Sequence, residues 1–176
     1  IAGDNSSSIT LNNDMVWNAE NIAVDFTSFG NMIIPETAEV GFYGSLFIND
    51  GMIDQSGEWI FEGEIQNRNR HNLLAGFLVF ENEQSVYRNY ADLFISSAIA
   101  PLRPDSDGGI GQLINEAPGG NMFYNASEAI WLLRLHFENR ALLDIIAAVV
   151  DFQGRLDDYF GINFAPSLEW RTREAH

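Results

Sequence analysis

The N-terminal half of the chain alternates apolar and polar residues in the manner of β-strands. Ile22, Val24 and Phe26 alternate with Ala23 and Asp25, which is the two-residue period of a half-buried strand. Three further segments are apolar on one face or throughout and predict strands, at 40–48, 58–65 and 73–80. Turn-forming residues separate these segments, so residues 20–80 are predicted to form an antiparallel meander.

The second half has apolar residues at spacings of three and four, which are typical of helices. Residues 86–97 predict one helix, and the capping-box pattern at 125–128 predicts the start of a second. The apolar stripe over 142–159 predicts an amphipathic helix. Residues 101–120, rich in Pro and Gly, predict a long loop. The predicted fold class is therefore α+β, with the N-terminal antiparallel β-meander packed with two or three C-terminal helices.

A local sequence echo supports a different fold. A Trp, an apolar residue and an Asn-Arg pair recur at matching offsets, at Trp59, Ile65, Asn67 and Arg68 and again at Trp131, Phe137, Asn139 and Arg140. If this echo reflects an internal duplication, residues 130–150 are strands. The alternative fold is then an all-β barrel or sandwich.

The length of the chain predicts a single domain. Its 176 residues fall within the usual size of one folded unit that can bury a sizeable core. Polar residues dominate both ends, so 1–14 and 166–176 are expected to be extended arms attached to the domain 1–176.

The charge of the chain argues against two kinds of partner. It has nine arginines, no lysine and 25 acidic residues, which gives a formal net charge of −16. Nucleic acids and anionic membrane surfaces are bound through clustered Lys and Arg, whereas these arginines are scattered. No apolar run reaches the roughly 18 residues that indicate a transmembrane helix. The sequence predicts no nucleic-acid partner and no membrane insertion.

The absence of lysine and cysteine removes several kinds of chemistry. Without cysteine there is no disulfide or thiolate, and without lysine there is no P-loop and no Schiff base. The histidines His71, His136 and His176 form no metal-binding pair by spacing. An acidic surface rich in Asn, Ser and Gly and free of lysine is expected of an extracellular, periplasmic, cell-envelope or virion protein.

One acidic segment partly resembles a calcium-binding loop. Counting from Asp105, Asp107 is third and Glu116 is twelfth, and carboxylates at these places would supply the oxygen ligands that Ca²⁺ prefers. The glycine expected at the sixth place is replaced by Ile110. A solvated acidic turn explains the same residues without a bound ion. Calcium is a candidate cofactor, and no other cofactor is predicted.

Glu62 and Glu64 are the candidate catalytic residues. They are predicted to project from one face of a strand, roughly 7 Å apart at about 3.3 Å per residue. That separation suits the acid and the base of a carbohydrate hydrolase. A solvated outer face explains both glutamates without any chemistry and is the favoured interpretation, so an enzyme is not favoured.

Four aromatic residues are candidate binding residues because they stand near the ends of the chain or outside its most regular apolar positions. They are Trp17, Tyr43, Tyr87 and Trp170. Exposed aromatic rings commonly contact proteins or glycans. Rings that close the edges of a core would produce the same pattern.

Three functions remain open from the sequence. The leading hypothesis is a non-catalytic extracellular, cell-envelope or virion protein that binds a protein or glycan or assembles with itself into an oligomer. The second is a carboxylate-dependent carbohydrate hydrolase. The third is a carrier of a small apolar ligand, held in a cavity between the sheet and the helices.

Overall fold

The chain winds into a parallel β-solenoid. The structure, a computed structural model, describes residues 8–18, 20–96, 101–105, 110–164 and 169–172. These residues form 22 strands and no helix. Consecutive strands of the chain do not pair; each pairs in parallel with strands of the neighbouring coils. The result is a solenoid of about seven turns with three sheets along its sides.

Sheet 1 and sheet 2 run along most of the solenoid. The eight strands of sheet 1, in order along the axis, are β1 (Ser8–Leu11), β4 (Asp25–Ser28), β7 (Leu46–Asn49), β10 (Glu64–Asn67), β13 (Val86–Asn89), β16 (Gln112–Asn115), β18 (His136–Asn139) and β20 (Leu156–Asp158). The nine strands of sheet 2 are β2 (Met15–Val16), β5 (Met32–Ile34), β8 (Met52–Gln55), β11 (Arg70–Leu73), β14 (Asp92–Ile95), β17 (Asn121–Leu133), β19 (Leu142–Phe152), β21 (Ile162–Phe164) and β22 (Glu169–Thr172).

Sheet 3 closes the first five coils. Its five strands are β3 (Asn21–Ile22), β6 (Glu39–Phe42), β9 (Glu58–Phe61), β12 (Phe77–Phe80) and β15 (Leu102–Pro104). In the later coils the long strands β17 and β19 pair with each other over most of their length. Within the part of the chain that the structure describes, there is no helix long and apolar enough to cross a membrane.

Inward side chains from the three sheets fill the interior. Within most strands buried and partly exposed residues alternate, because successive side chains point to opposite faces. Trp59 packs edge-on against Phe47 at 5.0 Å and against Trp17 at 5.6 Å between ring centroids. Each large apolar side chain buried in this way contributes roughly 1.5–3 kcal/mol through removal from water.

A column of buried amides, here called the asparagine ladder, runs along the corner between sheets 1 and 2. It consists of Asn49, Asn67, Asn89, Asn115 and Asn139 and ends at Asp158. Each Asn donates from Nδ2 to the Oδ1 of the next residue, over 2.8, 2.8, 2.9, 3.0 and 2.9 Å. The same Nδ2 atoms also donate to backbone carbonyls of the corners. The ladder therefore satisfies buried polar groups that would otherwise destabilise the fold.

The predicted α+β fold is wrong, because the segments predicted as helices are strands. Residues 86–96 contain β13 and β14, residue 97 lies outside the described residues, and 142–159 contain β19 and β20. The apolar residues at helical spacing, Val86, Tyr90, Leu93 and Phe94, come from both faces of these two strands and from the corner between them, and of the four only Leu93 is buried. The residues that are buried, at 87, 89, 93 and 95, keep the two-residue alternation of a strand across the corner.

The remaining elements of the predicted fold are also corrected. Strands do occupy much of 20–80, but they are parallel rather than an antiparallel meander. The predicted loop 101–120 contains β15 and β16, and the predicted capping box 125–128 lies within β17. The all-β barrel or sandwich is wrong as well, since three open parallel sheets surround one stacked core. Within the segments expected to be extended arms, the structure describes β1 in 1–14 and β22 in 166–176.

Candidate binding face on sheet 2

The outward face of sheet 2 carries a regular column of side chains, one from each successive coil. The backbone register aligns Asp54, Asn72, Phe94, Phe123, Asp144 and Asn163 in this outer column. Neighbouring coils are about 4.8 Å apart, so each member lies beside the next. The outer column thus contains an aromatic pair between two amide–carboxylate pairs.

The aromatic pair is Phe94 and Phe123. Their rings are stacked, with centroids 4.8 Å apart and planes inclined by 10°. The Arg70 guanidinium carbon lies 4.8 Å from the Phe94 ring centroid, so a cation–π contact covers the other face of Phe94. This pair places aromatic surface on the outside of the solenoid, away from the core.

Amide–carboxylate pairs surround the two rings. In each pair an Asn Nδ2 donates to an Asp Oδ1 of an adjacent coil; the pairs are Asn72–Asp54 at 2.7 Å, Asn163–Asp144 at 2.7 Å and Asn121–Asp92 at 3.0 Å. Asp92 and Asn121 lie two residues before the phenylalanines on the same strands. Each pair keeps further acceptor and donor positions after its internal hydrogen bond.

A groove of about 550 Å³ lies beside the outer column. Phe94, Phe123 and Asp144 line it, together with Ser96, Asn125 and Ile146, which lie two residues further along the same three coils. Ile146 is 45% exposed. The floor of the groove lies over residues whose side chains point into the core. The groove combines a largely apolar lining with a few polar groups, which is the usual composition of a small-ligand site.

A second depression, of about 480 Å³, contains both candidate catalytic glutamates. Glu62 follows β9 and Glu64 begins β10, so they flank a corner rather than share one strand. Gly63 lies between them with φ +85°, and a Cβ there would be 2.3 Å from the Gly44 carbonyl oxygen. The backbone at this corner therefore requires glycine. Asp25 also lines the depression.

Both glutamates already have side-chain partners. Asn82 Nδ2 donates to Glu62 Oε1 at 3.1 Å, and Gln66 Nε2 donates to Glu64 Oε1 at 2.6 Å. Arg88 Nε lies 3.4 Å from Glu64 Oε2. The depression thus brings together carboxylates that are held by amide and guanidinium groups.

Tyr43 is the first member of a column of otherwise acidic side chains, each of which directly follows a strand of sheet 3. Glu62, Glu81 and Asp105 follow it in successive coils, through backbone hydrogen bonds from each residue to the preceding coil. Partial desolvation of its hydroxyl, with the charges of Glu81 and the neighbouring acids, raises the pKa of the otherwise exposed Tyr43. Burial also raises the pKa of Glu81, and Asp105 and Glu62 add to this shift.

The calcium candidates lie at separate places in the fold. Asp105 follows β15, whereas Glu116 follows β16, and Asp107 lies outside the described residues. Both carboxylate oxygens of Glu116 bind arginines, Oε1 to Arg88 at 2.6 Å and Oε2 to Arg140 at 3.0 Å. Among the residues that the structure describes, no group of three or more His, Cys, Asp or Glu side chains could hold a metal ion.

The aromatic candidates divide between interior and surface. Trp17 is buried, and Tyr87 is buried with its hydroxyl 2.8 Å from His71 Nδ1. Tyr43 is exposed, while Trp170 lies on β22 with a side chain outside the described ones. Phe94 and Phe123 were not among the sequence candidates. A recurring apolar-x-Asn pattern, at the asparagine-ladder positions, was the signal that could have set the register and revealed them.

These features define the class of molecule as a parallel β-solenoid with an aromatic groove on one lateral face. No known protein family, curated protein or solved structure matches the chain.

Proposed function

We propose that this chain is a non-catalytic binding protein whose ligand occupies the groove on sheet 2. The observation that carries the proposal is the stacked Phe94–Phe123 pair on an outer face, ringed by amide–carboxylate pairs. Aromatic rings are usually buried in the core, whereas both rings of this pair are half-buried on the outer face and keep part of their apolar surface available to a partner. Paired polar groups around an apolar centre resemble the rim of a binding site.

The sheet supports binding because its face is rigid. The outer column is set by parallel pairing on both sides of β14 and β17, so its side chains are held in place before a ligand arrives. Preorganisation of this kind reduces the entropy lost on binding. The net charge of −16 favours neutral or cationic partners over anionic ones.

We also propose that the protein works outside the cytosol, as an extracellular, cell-envelope or virion component. The chain lacks cysteine and lysine and has an acidic surface rich in small polar residues. Self-assembly into an oligomer is part of the same proposal, and light scattering of the purified protein measures it directly.

The binding proposal is tested with a double variant of the aromatic pair, Phe94→Ser with Phe123→Ser. Purified protein is applied to immobilised neutral polysaccharides, anionic polysaccharides, peptides and the protein itself. We expect retention on at least one of these, weakened about tenfold or more in the double variant. The matched control, Leu46→Ser with Ile48→Ser, changes two outward apolar residues of sheet 1 and should bind as the parent does. Absence of retention on every surface, or equal retention by the Phe variant, contradicts the proposal.

The second candidate function is a carbohydrate hydrolase, because one depression brings Glu62, Glu64 and Asp25 together. Two carboxylates facing a common space are the minimal equipment for acid–base hydrolysis of a glycosidic bond. Release of reducing ends from polysaccharides is the assay. Loss of activity in both Glu62→Gln and Glu64→Gln supports a hydrolase; an inactive parent protein, or activity unchanged in both variants, removes it.

A further inference from the structure

We infer that the ligand of the sheet 2 groove is an uncharged glycan that lies along the solenoid axis and stacks on Phe123. This inference rests on the proposed function, since it names the ligand class of that same groove. It follows from which ring face is available, which hydrogen-bonding groups lie beside it, and which groups of the sheet are already paired.

Phe123 is the ring with one open face, because no second ring or guanidinium stacks on it within the described part of the chain. Phe94 has Phe123 on one side and the Arg70 guanidinium on the other. Phe123 has Phe94 on one side, and the next member of the outer column is Asp144, a shorter residue without a ring. The face of an aromatic ring is negative, so it attracts the weakly positive C–H groups on one side of a sugar ring. Phe123 and Asp144 therefore form a step on which a sugar can stack.

The step has hydrogen-bonding groups that match hydroxyls. Asn163 Nδ2 donates one hydrogen to Asp144 Oδ1, which leaves the second hydrogen of that amide, its own oxygen and Asp144 Oδ2. A sugar hydroxyl can donate to the carboxylate while it accepts from the amide. Asp54 and Asn72 form an equivalent pair four coils away, about 19 Å along the axis. Two such pairs on either side of the rings suit a chain of several sugar units.

A peptide fits the same face poorly. The backbone groups of β14, β17 and β19 pair with neighbouring coils, so the lateral face offers no free strand edge to an extended peptide. An apolar helix would bury the surrounding Asp and Asn side chains without replacing their hydrogen bonds to water. An anionic glycan would meet the carboxylates of Asp54 and Asp144, while the nearby Arg70 guanidinium already contacts Asp92 and the Phe94 ring. A neutral glycan meets none of these costs.

The test uses a panel of neutral and anionic oligosaccharides with the full chain, followed by titration calorimetry over a series from disaccharide to hexasaccharide. We expect binding to at least one neutral glycan and affinity that increases with length and is insensitive to salt. Phe123→Tyr keeps an aromatic face and should retain the affinity. Phe123→Leu keeps an apolar side chain without a face and should lower the affinity about tenfold. Thermal unfolding of both variants confirms that they fold.

The outcomes separate this inference from the proposed function. If no neutral glycan binds but a peptide or a second copy is retained and lost in the Phe94/Phe123 double variant, the glycan inference is overturned and the binding function stands. Equal glycan affinity in Phe123→Leu and Phe123→Tyr overturns stacking on Phe123. If no surface or glycan binds at all, both proposals fail.

Discussion

Replacing Asn89 with alanine removes the central rung of the asparagine ladder. Its Oδ1 accepts from Asn67 Nδ2 at 2.8 Å, and its Nδ2 donates to Asn115 Oδ1 at 2.9 Å. The same Nδ2 lies 2.7 Å from the Ala91 carbonyl oxygen and 3.0 Å from that of Asn121. The substitution therefore breaks the ladder in both directions and frees two backbone carbonyls, one in its own coil and one in the next.

The cost follows from the groups left buried without a partner. Asn67 loses one acceptor and Asn115 Oδ1 loses its donor, and each unsatisfied buried group costs about 1–3 kcal/mol. The expected loss is therefore about 2–6 kcal/mol, a large share of the ~5–15 kcal/mol that stabilises a typical domain. Asn89→Asp should cost more than Asn89→Ala, because it buries a carboxylate that can accept from Asn67 but cannot donate to Asn115.

Urea denaturation followed by circular dichroism measures the loss, and amide hydrogen exchange locates it. In a solenoid each coil contacts only its neighbours, so protection should fall most in the coils of β10, β13 and β16. Asn69→Ala is the matched control, since Asn69 is exposed and its Nδ2 donates to the Asp50 carbonyl oxygen. That control should stay within about 0.5 kcal/mol of the parent. A loss below about 1 kcal/mol for Asn89→Ala, or one no greater than that of Asn69→Ala, would refute the reasoning.

Two further predictions concern buried polar groups. Burial lowers the pKa of His71 from 6.5 to about 3, so the folded state holds a neutral imidazole. The free energy of unfolding is therefore retained above pH 6.5 and falls by about 5 kcal/mol as the pH decreases to about 3. Denaturation midpoints across that range should have a shallower pH dependence in His71→Gln, and parallel curves for the two proteins would contradict the assignment. Ser28→Asn should stabilise the fold by about 1 kcal/mol, because none of the described residues donates to the buried Asn49 Oδ1 and a new amide one coil earlier can do so. An unchanged or lower midpoint in urea would count against an extended ladder.

The strands of the first half were predictable, but their pairing was not. Alternation of Ile22, Val24 and Phe26 with polar residues specifies which face is buried. It does not distinguish parallel from antiparallel neighbours, because side chains alternate in both arrangements. Parallel pairing between coils depends on contacts some twenty residues apart, which local periodicity does not report.

Buried asparagines account for much of the rest of the error. Asn67 falls between the predicted strands 58–65 and 73–80, and Asn89 falls within the predicted helix 86–97, so neither was expected to be a buried strand residue. Their amides are buried because each satisfies the next, a property of the stack rather than of any one coil. The intervals of 18, 22, 26 and 24 residues between rungs are unequal, so no fixed repeat length reveals them.

The candidate groove was the least predictable feature. Phe94 and Phe123 are distant in the chain, and their contact depends on the register of β14 with β17. That register is fixed by the intervening coil rather than by either residue. Glu62 and Glu64, in contrast, are neighbours in sequence, and they do line one depression, although around a corner.

The asparagine ladder gives the solenoid a direction. From Asn49 onward, the amides donate toward the C-terminal side, so their dipoles add along the axis and polarise one another. Asp158 closes this series as an acceptor, and it has no hydrogen to pass to a further rung. A duplicated coil that carries its own Asn could be inserted between Asn49 and Asp158 without interrupting the series of hydrogen bonds. Such an insertion would lengthen the molecule by about 4.8 Å, so the length of the solenoid can be changed in steps of one coil.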